Sequence, residues 1–321
     1  MPAALAGIED ARARYREILC AVLRTQDPTA GASLCEASLH RMALEGEPTG
    51  RAVHLGPPRI PLRVGIVPGY GADCFTDVVP VLADARSRLA ERGWPTDVLI
   101  VEGLSSSRRN ADLIRDQLLK AQLAHGERFV LIGYSKGTSD MLEALAVHPE
   151  IRPRVAAAVS LAGTVMGSPL ADDPPRLLPV LVQALSGGAC TAGDGGAFAS
   201  LRRTERLEFL ARFPPLSYGV PLYSLGAFAD LERTSHILRP MHRRLAVMDP
   251  RNDSQTLSTD QVIPGSALLG YLNADHWAVA LPLDRYQPVL SAIFTDRNDF
   301  PRAAMLESVV RLVEERLLNK D

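Results

Sequence analysis

From Leu62 onward, runs of apolar residues alternate with stretches in which apolar side chains recur every three or four positions. The runs are Leu62–Val67, 97–101, 129–132, Val155–Leu161, 219–225 and 267–272, each of strand length. Between them, residues 78–92, 109–122 and 136–148 carry a helical period, with Leu113, Ile114, Leu118 and Leu119 on one face of the second. Residues 301–318 repeat the pattern through Met305, Val309, Leu312, Val313 and Leu317. Strands that are apolar nearly throughout, joined by helices of about a dozen residues, predict a parallel sheet covered on both faces. The fold class read from the pattern is α/β, doubly wound.

Two segments depart from the alternation. Residues 1–55 read as a helical extension of two helices, the first marked by Tyr15, Ile18, Leu19, Val22 and Leu23. A Pro/Gly-containing link, Gly46 to Gly50 and then Gly56-Pro57-Pro58, separates it from the main domain, residues 60–321. About 57 residues lie between the strand ending at Leu161 and the one beginning at Gly219, far more than an ordinary crossover. Residues 177–185 there are strongly apolar, glycines cluster from Gly187 to Gly196, and 202–213 has helical character. Residues 166–217 are therefore expected to form a cap or lid, the alternative being two core helices joined by a loose loop.

Composition narrows the function classes. Hydrophobic residues make up 46% and charged residues 22%, an ordinary globular balance. A formal charge of −2, from 35 basic and 37 acidic side chains without single-sign blocks, gives no footprint for nucleic acid. The most apolar stretch, residues 155–171, is diluted by Ala, Gly, Ser and Thr, so no transmembrane segment is expected. The N-terminus lacks a contiguous apolar region for export, and cytoplasmic location is the default, with an exported form still open. The four cysteines (Cys20, Cys35, Cys74, Cys190) make no CxxC pair and share no metal-ligand spacing with histidine, so neither metal nor cofactor is expected. Cys20 and Cys35 are open to two readings, a bridge between the N-terminal helices or two buried thiols, and the reduced default favours thiols.

The chemistry concentrates in Gly133-Tyr134-Ser135-Lys136-Gly137. A G-x-S-x-G match arises by chance in about one chain of this length in ten. Its position decides the matter, because it directly follows a strand and directly opens a helix, the placement of a nucleophile elbow. Gly133 and Gly137 let the chain turn sharply and push the Ser135 hydroxyl out of the turn.

A serine hydroxyl needs a base to take its proton. Of seven histidines, His276 sits where a base belongs, on the loop after the last strand. His125 and His148 lie at helix ends, and His236 and His242 are weaker alternatives. The group that orients the imidazole is assigned to Asp253, in Asn252-Asp253-Ser254, with Asp230 and Asp260 as runners-up. Asp275 is discounted because the side chains of consecutive residues diverge. Backbone N–H groups of Tyr70 and Lys136 are the candidate oxyanion donors, Gly69 and Gly71 permitting the first to approach closely. Neither G-x-x-x-x-G-K-[ST] nor G-x-G-x-x-G occurs at these turns, which argues against a nucleotide.

Over residues 60–321 the chain resembles the α/β-hydrolase superfamily, and within it bacterial triacylglycerol lipases and related esterases. The order Ser135, Asp253, His276 is that superfamily's order. Pro68-Gly69-Tyr70-Gly71 stands where such lipases carry His-Gly-hydrophobic-Gly, with proline in place of histidine. Asn252-Asp253-Ser254 matches their Asn-Asp-Gly, and residues 167–172 match a segment after their fourth strand. The resemblance implies an α/β-hydrolase fold with a mostly parallel sheet and a helical cap. It implies a serine hydrolase acting on a small ester or lipid-like substrate, and the apolar run over residues 177–185 motivates an apolar acyl part. A thioesterase or acyltransferase is the alternative, and a non-catalytic binding protein on this scaffold a further one. None of these patterns specifies an oligomeric state.

Overall fold

A computed structural model describes residues 7–75, 79–173, 191–295 and 298–319. Among these residues the sheet has seven strands: β1 (Glu9–Asp10), β2 (Leu62–Val67), β3 (Thr96–Val98), β4 (Arg128–Tyr134), β5 (Val155–Leu161), β6 (Leu222–Phe228) and β7 (Ala267–Asn273). They lie in the order β1-β7-β6-β5-β4-β2-β3, and every neighbouring pair is parallel. The helices described are α1 (Arg12–Gln26), α2 (Gly31–Ser38), α3 (Ala83–Glu91), α4 (Ser107–Lys120), α5 (Lys136–Val147), α6 (Pro169–Asp172) and α7 (Ala197–Ser200). After them come α8 (Arg203–Arg212), α9 (Arg239–Ala246), α10 (His276–Ala280), α11 (Leu283–Tyr286), α12 (Pro288–Phe294) and α13 (Arg302–Leu318).

The two faces of the sheet feed two apolar clusters. Val64, Ile66, Val130 and Ile132 point into one, with α1, α3 and α13 packed over them through Tyr15, Leu89, Met305 and Val309. Phe129, Leu131 and Ala158 point into the other, closed by Ile114 and Leu118 of α4 and Met141 and Leu145 of α5. Alternate residues of one strand thus serve opposite layers, which is why the strands are apolar at every position. Central β5 is buried along its whole length.

Several boundaries differ from the pattern for local reasons. The helix expected over 78–92 begins at Ala83, because Pro80 precedes it and Leu82 turns left-handed at φ 51°; residue 78 is outside the described residues. The strand expected over 219–225 runs Leu222–Phe228, since Gly219 is left-handed and Pro221 follows it. The strand expected over 97–101 ends at Val98, beyond which the Gln117 side chain takes over both backbone groups of Ile100 (2.8 and 2.7 Å).

The N-terminal segment is woven into the main sheet. Glu9–Asp10 pairs with β7 as an edge strand, and Leu39 bridges Leu272. Tyr15, Ile18, Leu19 and Val22 belong to the principal core, and the Tyr15 hydroxyl donates to the Met305 carbonyl (3.2 Å). The thiol reading of Cys20 and Cys35 is corrected: they form a disulfide, with Cα atoms 5.1 Å apart. The approach is possible because α2 starts at Gly31, where a Cβ would stand 2.7 Å from the Arg24 backbone. Closing a loop of this length stabilises by about 3 kcal/mol in the chain-entropy account.

Candidate active site

The chain runs from β2 out to β3, then returns past β2 to β4, so the sheet's winding reverses between β2 and β4. In open α/β sheets this is where a crevice forms beyond the carboxyl ends of the strands. The turn after β2 carries Gly69 and Tyr70, and the turn after β4 carries Ser135.

Ser135 occupies φ 56°, ψ −129°, a conformation that costs a non-glycine residue of order 1–3 kcal/mol and persists only where the surroundings hold it. Here its carbonyl accepts from the N–H groups of Thr138 (3.0 Å) and Thr164 (3.2 Å), while its own N–H donates to Leu161 (3.2 Å). The glycines around it are demanded by space. A Cβ on Gly137 would lie 2.0 Å from the Val67 carbonyl oxygen, and one on Gly133 would lie 2.5 Å from Thr138 Cα. A Cβ on Gly69 would sit 2.9 Å from Ser135 Cβ, so the turn after β2 lies directly against the serine. Gly71 is left-handed at φ 65°.

His276 begins α10, just past β7, and Asp253 lies on the loop between β6 and β7. Ser135 Oγ is 2.8 Å from His276 Nε2, and His276 Nδ1 is 2.6 Å from Asp253 Oδ2. All three are buried, Asp253 completely. The Asp253 carboxylate also accepts from the N–H groups of Gln255 (2.9 Å) and Thr256 (2.7 Å) and from the Thr256 hydroxyl (3.2 Å). A buried charge is thereby supplied with donors on both oxygens. With Asp253 ionised, Nδ1 carries the proton and Nε2 faces Ser135 as an acceptor. The Tyr134 hydroxyl, pushed well above its ordinary pKa by burial, donates to the His276 carbonyl (2.7 Å).

The alternatives are occupied elsewhere. His148 pairs with Asp112, and His242 and His40 meet the carbonyls of Ala229 and Phe228. His125 and His236 are exposed. Asp230 is exposed, and Asp260 faces Arg203 (3.4 Å). Asp275 caps α10 through the Ala278 N–H (2.8 Å) and accepts from the Ser235 N–H (2.6 Å).

Sequence reading missed the residues that support this arrangement. Asn252 holds the turn of the acid loop, its Oδ1 accepting from the Ser254 N–H (3.0 Å) and its Nδ2 donating to the Asp249 carbonyl (3.1 Å). Its signal was the Asn-Asp pair itself. Tyr134 and Thr164 carried none, because their partners, His276 and Ser135, lie far along the chain, and Thr256, three residues past Asp253, reads as an ordinary loop residue. Among the described residues no group of acidic, histidine and cysteine side chains could hold a metal ion, and no helix is long and apolar enough to cross a membrane.

Among solved structures, the metagenomic carboxyl esterase MGS0156 matches over 98% of this chain and 95% of its own, at 39% identity and a TM-score of 0.89. The chain belongs to the esterase and lipase family of α/β-hydrolases. A lipase of Bacillus licheniformis, BlEst2 in its mature form, shares the fold at 18% identity and a TM-score of 0.55, over 71% of this chain and 89% of that one. No protein-family model and no curated protein matches the chain. For an α/β-hydrolase, a parallel sheet with helices on both faces is the expected frame, and among the described residues that sheet has seven strands.

Proposed function

We propose that the chain hydrolyses carboxylic esters with an apolar acyl part, with Ser135 as nucleophile, His276 as general base and acid, and Asp253 as the orienting acid. The observation that carries the reading is the unbroken relay of 2.8 Å and 2.6 Å contacts joining the three, on the frame of an ester hydrolase.

Ser135 Oγ attacks the ester carbonyl carbon as His276 Nε2 takes its proton. The resulting oxyanion is met by the backbone N–H groups of Tyr70 and Lys136, and Asp253 stabilises the imidazolium. Collapse expels the alkoxide, which leaves as the alcohol with the proton from Nε2. Water then enters, gives a proton to His276 and attacks the acyl-enzyme, and Ser135 recovers its proton as the carboxylic acid departs. The proline at position 68 removes any histidine side-chain contribution but leaves the Tyr70 amide in play.

Residues 166–217 serve in this reading as a cap. Contacts at its start and near its middle support it: Ser168 Oγ donates to the Gln255 carbonyl beside Asp253 (2.5 Å), and Asp194 accepts from the Ser106 N–H (2.7 Å). The apolar acyl preference rests on residues 177–185, which lie outside the described residues. The Cys20–Cys35 disulfide supports maturation in an oxidising compartment rather than the reduced one expected.

Intact mass after treatment with a fluorophosphonate tests the nucleophile. One adduct on the wild type, absent in Ser135→Ala, is expected, while unlabelled folded wild type overturns the reading and favours a binding protein. A series of p-nitrophenyl esters should show turnover rising above acetate, and a flat series removes the acyl preference. Product analysis with added alcohol separates hydrolysis from acyl transfer.

A further inference from the structure

Lys136 follows the nucleophile in sequence, yet its ammonium is wholly buried, an unusual place for a lysine. Its Nζ reaches both carboxylate oxygens of Asp140, one turn along α5, at 2.7 and 2.8 Å. Asp140 Oδ2 also accepts from Asn110 Nδ2 (2.8 Å), a side chain of α4 with no exposure. Asn110 in turn clamps the backbone of Glu102, accepting from its N–H and donating to its carbonyl, both at 3.0 Å. The next residue, Gly103, accepts from the Gly71 N–H (3.3 Å) and donates to Asp73 Oδ1 (2.9 Å). A Cβ on Gly103 would lie 2.7 Å from Gly71 Cα, so this last contact is backbone against backbone.

We propose that the Lys136 side chain, acting through Asp140 and Asn110, is a positioning element that sets where the turn from Gly69 to Gly71 stands relative to Ser135. The inference rests on the reading of Tyr70 and Lys136 as oxyanion donors. Two donors from separate turns must meet one oxygen, and errors of a fraction of an ångström are costly in such a site. Pairing of β2 with β4 stops at Val67 and Gly133, and two glycines follow within four residues, so the turn after β2 needs a brace from outside the sheet. The hydrogen-bonded path supplies one, tied to the helix that carries the nucleophile. Stability does not require it, since a buried ion pair gains little over well-packed apolar side chains of similar volume. What the pair supplies is a fixed geometry.

The test replaces both charges in the full chain, Lys136→Met with Asp140→Leu, which leaves no uncompensated buried ion and keeps the Lys136 backbone N–H. Melting, steady-state kinetics on p-nitrophenyl butyrate and the rate of fluorophosphonate inactivation are measured. A brace predicts a melting temperature within a few degrees of wild type and KM within about twofold. It also predicts kcat and the inactivation rate lowered by about thirtyfold, below the loss from deleting a whole oxyanion donor. Asn110→Ala, which keeps the ion pair and cuts its link to Glu102, should show the same kcat-selective loss and decides the matter if the double variant does not fold. Folded variants that inactivate and turn over at the wild-type rate, or that lose KM alone, overturn the brace and leave the proposed function standing. Wild type that neither reacts with the probe nor turns over removes both.

Discussion

His276 is held to Asp253 twice. Its backbone N–H donates to the Asp253 carbonyl (2.9 Å), and its ring Nδ1 meets the Asp253 carboxylate (2.6 Å). The first contact fixes where α10 begins, and the second fixes how the imidazole is turned. The geometry therefore separates position from orientation within one residue pair. Asp253→Asn keeps the backbone contact and an oxygen for the Gln255 and Thr256 amides, but its amide group can stabilise the wrong tautomer. The expected result is kcat lower by about 10³–10⁴ with KM changed less than about threefold. Steady-state kinetics on the folded variant checks it, and a loss confined to KM would contradict the orienting role.

Gly69 and Gly137 face different obstacles, and alanine should separate them. A Cβ at 137 meets the carbonyl oxygens of Val67 and Pro68 at 2.0 and 2.6 Å, which are backbone and cannot yield. Gly137→Ala should lower stability by more than about 3 kcal/mol or abolish folding. A Cβ at 69 meets Ser135 Cβ at 2.9 Å and Oγ at 3.3 Å. Gly69→Ala should fold and lose activity, by about 10²-fold in kcat/KM. Thermal melts beside kinetics on both variants decide, and an active, stable Gly137→Ala would refute the close packing of α5 on the turn after β2.

Ser254 stands at φ 81°, is fully buried, and its hydroxyl has no hydrogen-bond partner among the described residues. Strain and the stranded hydroxyl both argue that glycine would serve here, against a backbone-entropy cost of about 0.5–1 kcal/mol. Ser254→Gly should leave kcat intact and shift stability between zero and about 1 kcal/mol upward. Ser254→Val, which cannot relax at that φ, should lose more than about 2 kcal/mol. Chemical denaturation of the two variants measures the difference, and a glycine variant weaker than wild type by over about 1 kcal/mol would count against strain.

Asp260 supplies a pH signature of stability. Burial pushes its carboxyl from 3.8 up to about 6, opposed by the Arg203 guanidinium and by a hydrogen bond with the Thr259 side chain. The folded chain therefore holds this proton when the unfolded chain has lost it. The contribution is fully present below pH 3.8 and is lost as pH rises through 6. Asp260→Asn should be more stable than wild type at pH 7.5 by up to about 2 kcal/mol and gain nothing at pH 4. Denaturant midpoints at the two pH values check the sign, and a gain at pH 4 alone would reverse it.

What could be read without a structure was whatever depends on neighbours in the chain. The strand before Ser135, the helix after it and the flanking glycines are local features, because a sharp turn leaves its requirements in five consecutive residues. Ser135 and His276 were singled out by where each stands relative to a strand, and Asp253 by its Asn-Asp-Ser turn ahead of His276. The pairing of Lys136 with Asp140 has visible i, i+4 spacing, but its burial does not, since the groups that cover it come from α4 and the loop before it. The two residues of β1 carry no strand signal and join the sheet only because β7 offers an open edge. In the same way, the disulfide depended on Gly31 letting α1 and α2 close to backbone contact. Periodicity reports that a side chain will be buried, since burial acts on each segment separately. Which surface buries it is settled by long-range packing, where only the folded chain brings distant partners within a few ångströms.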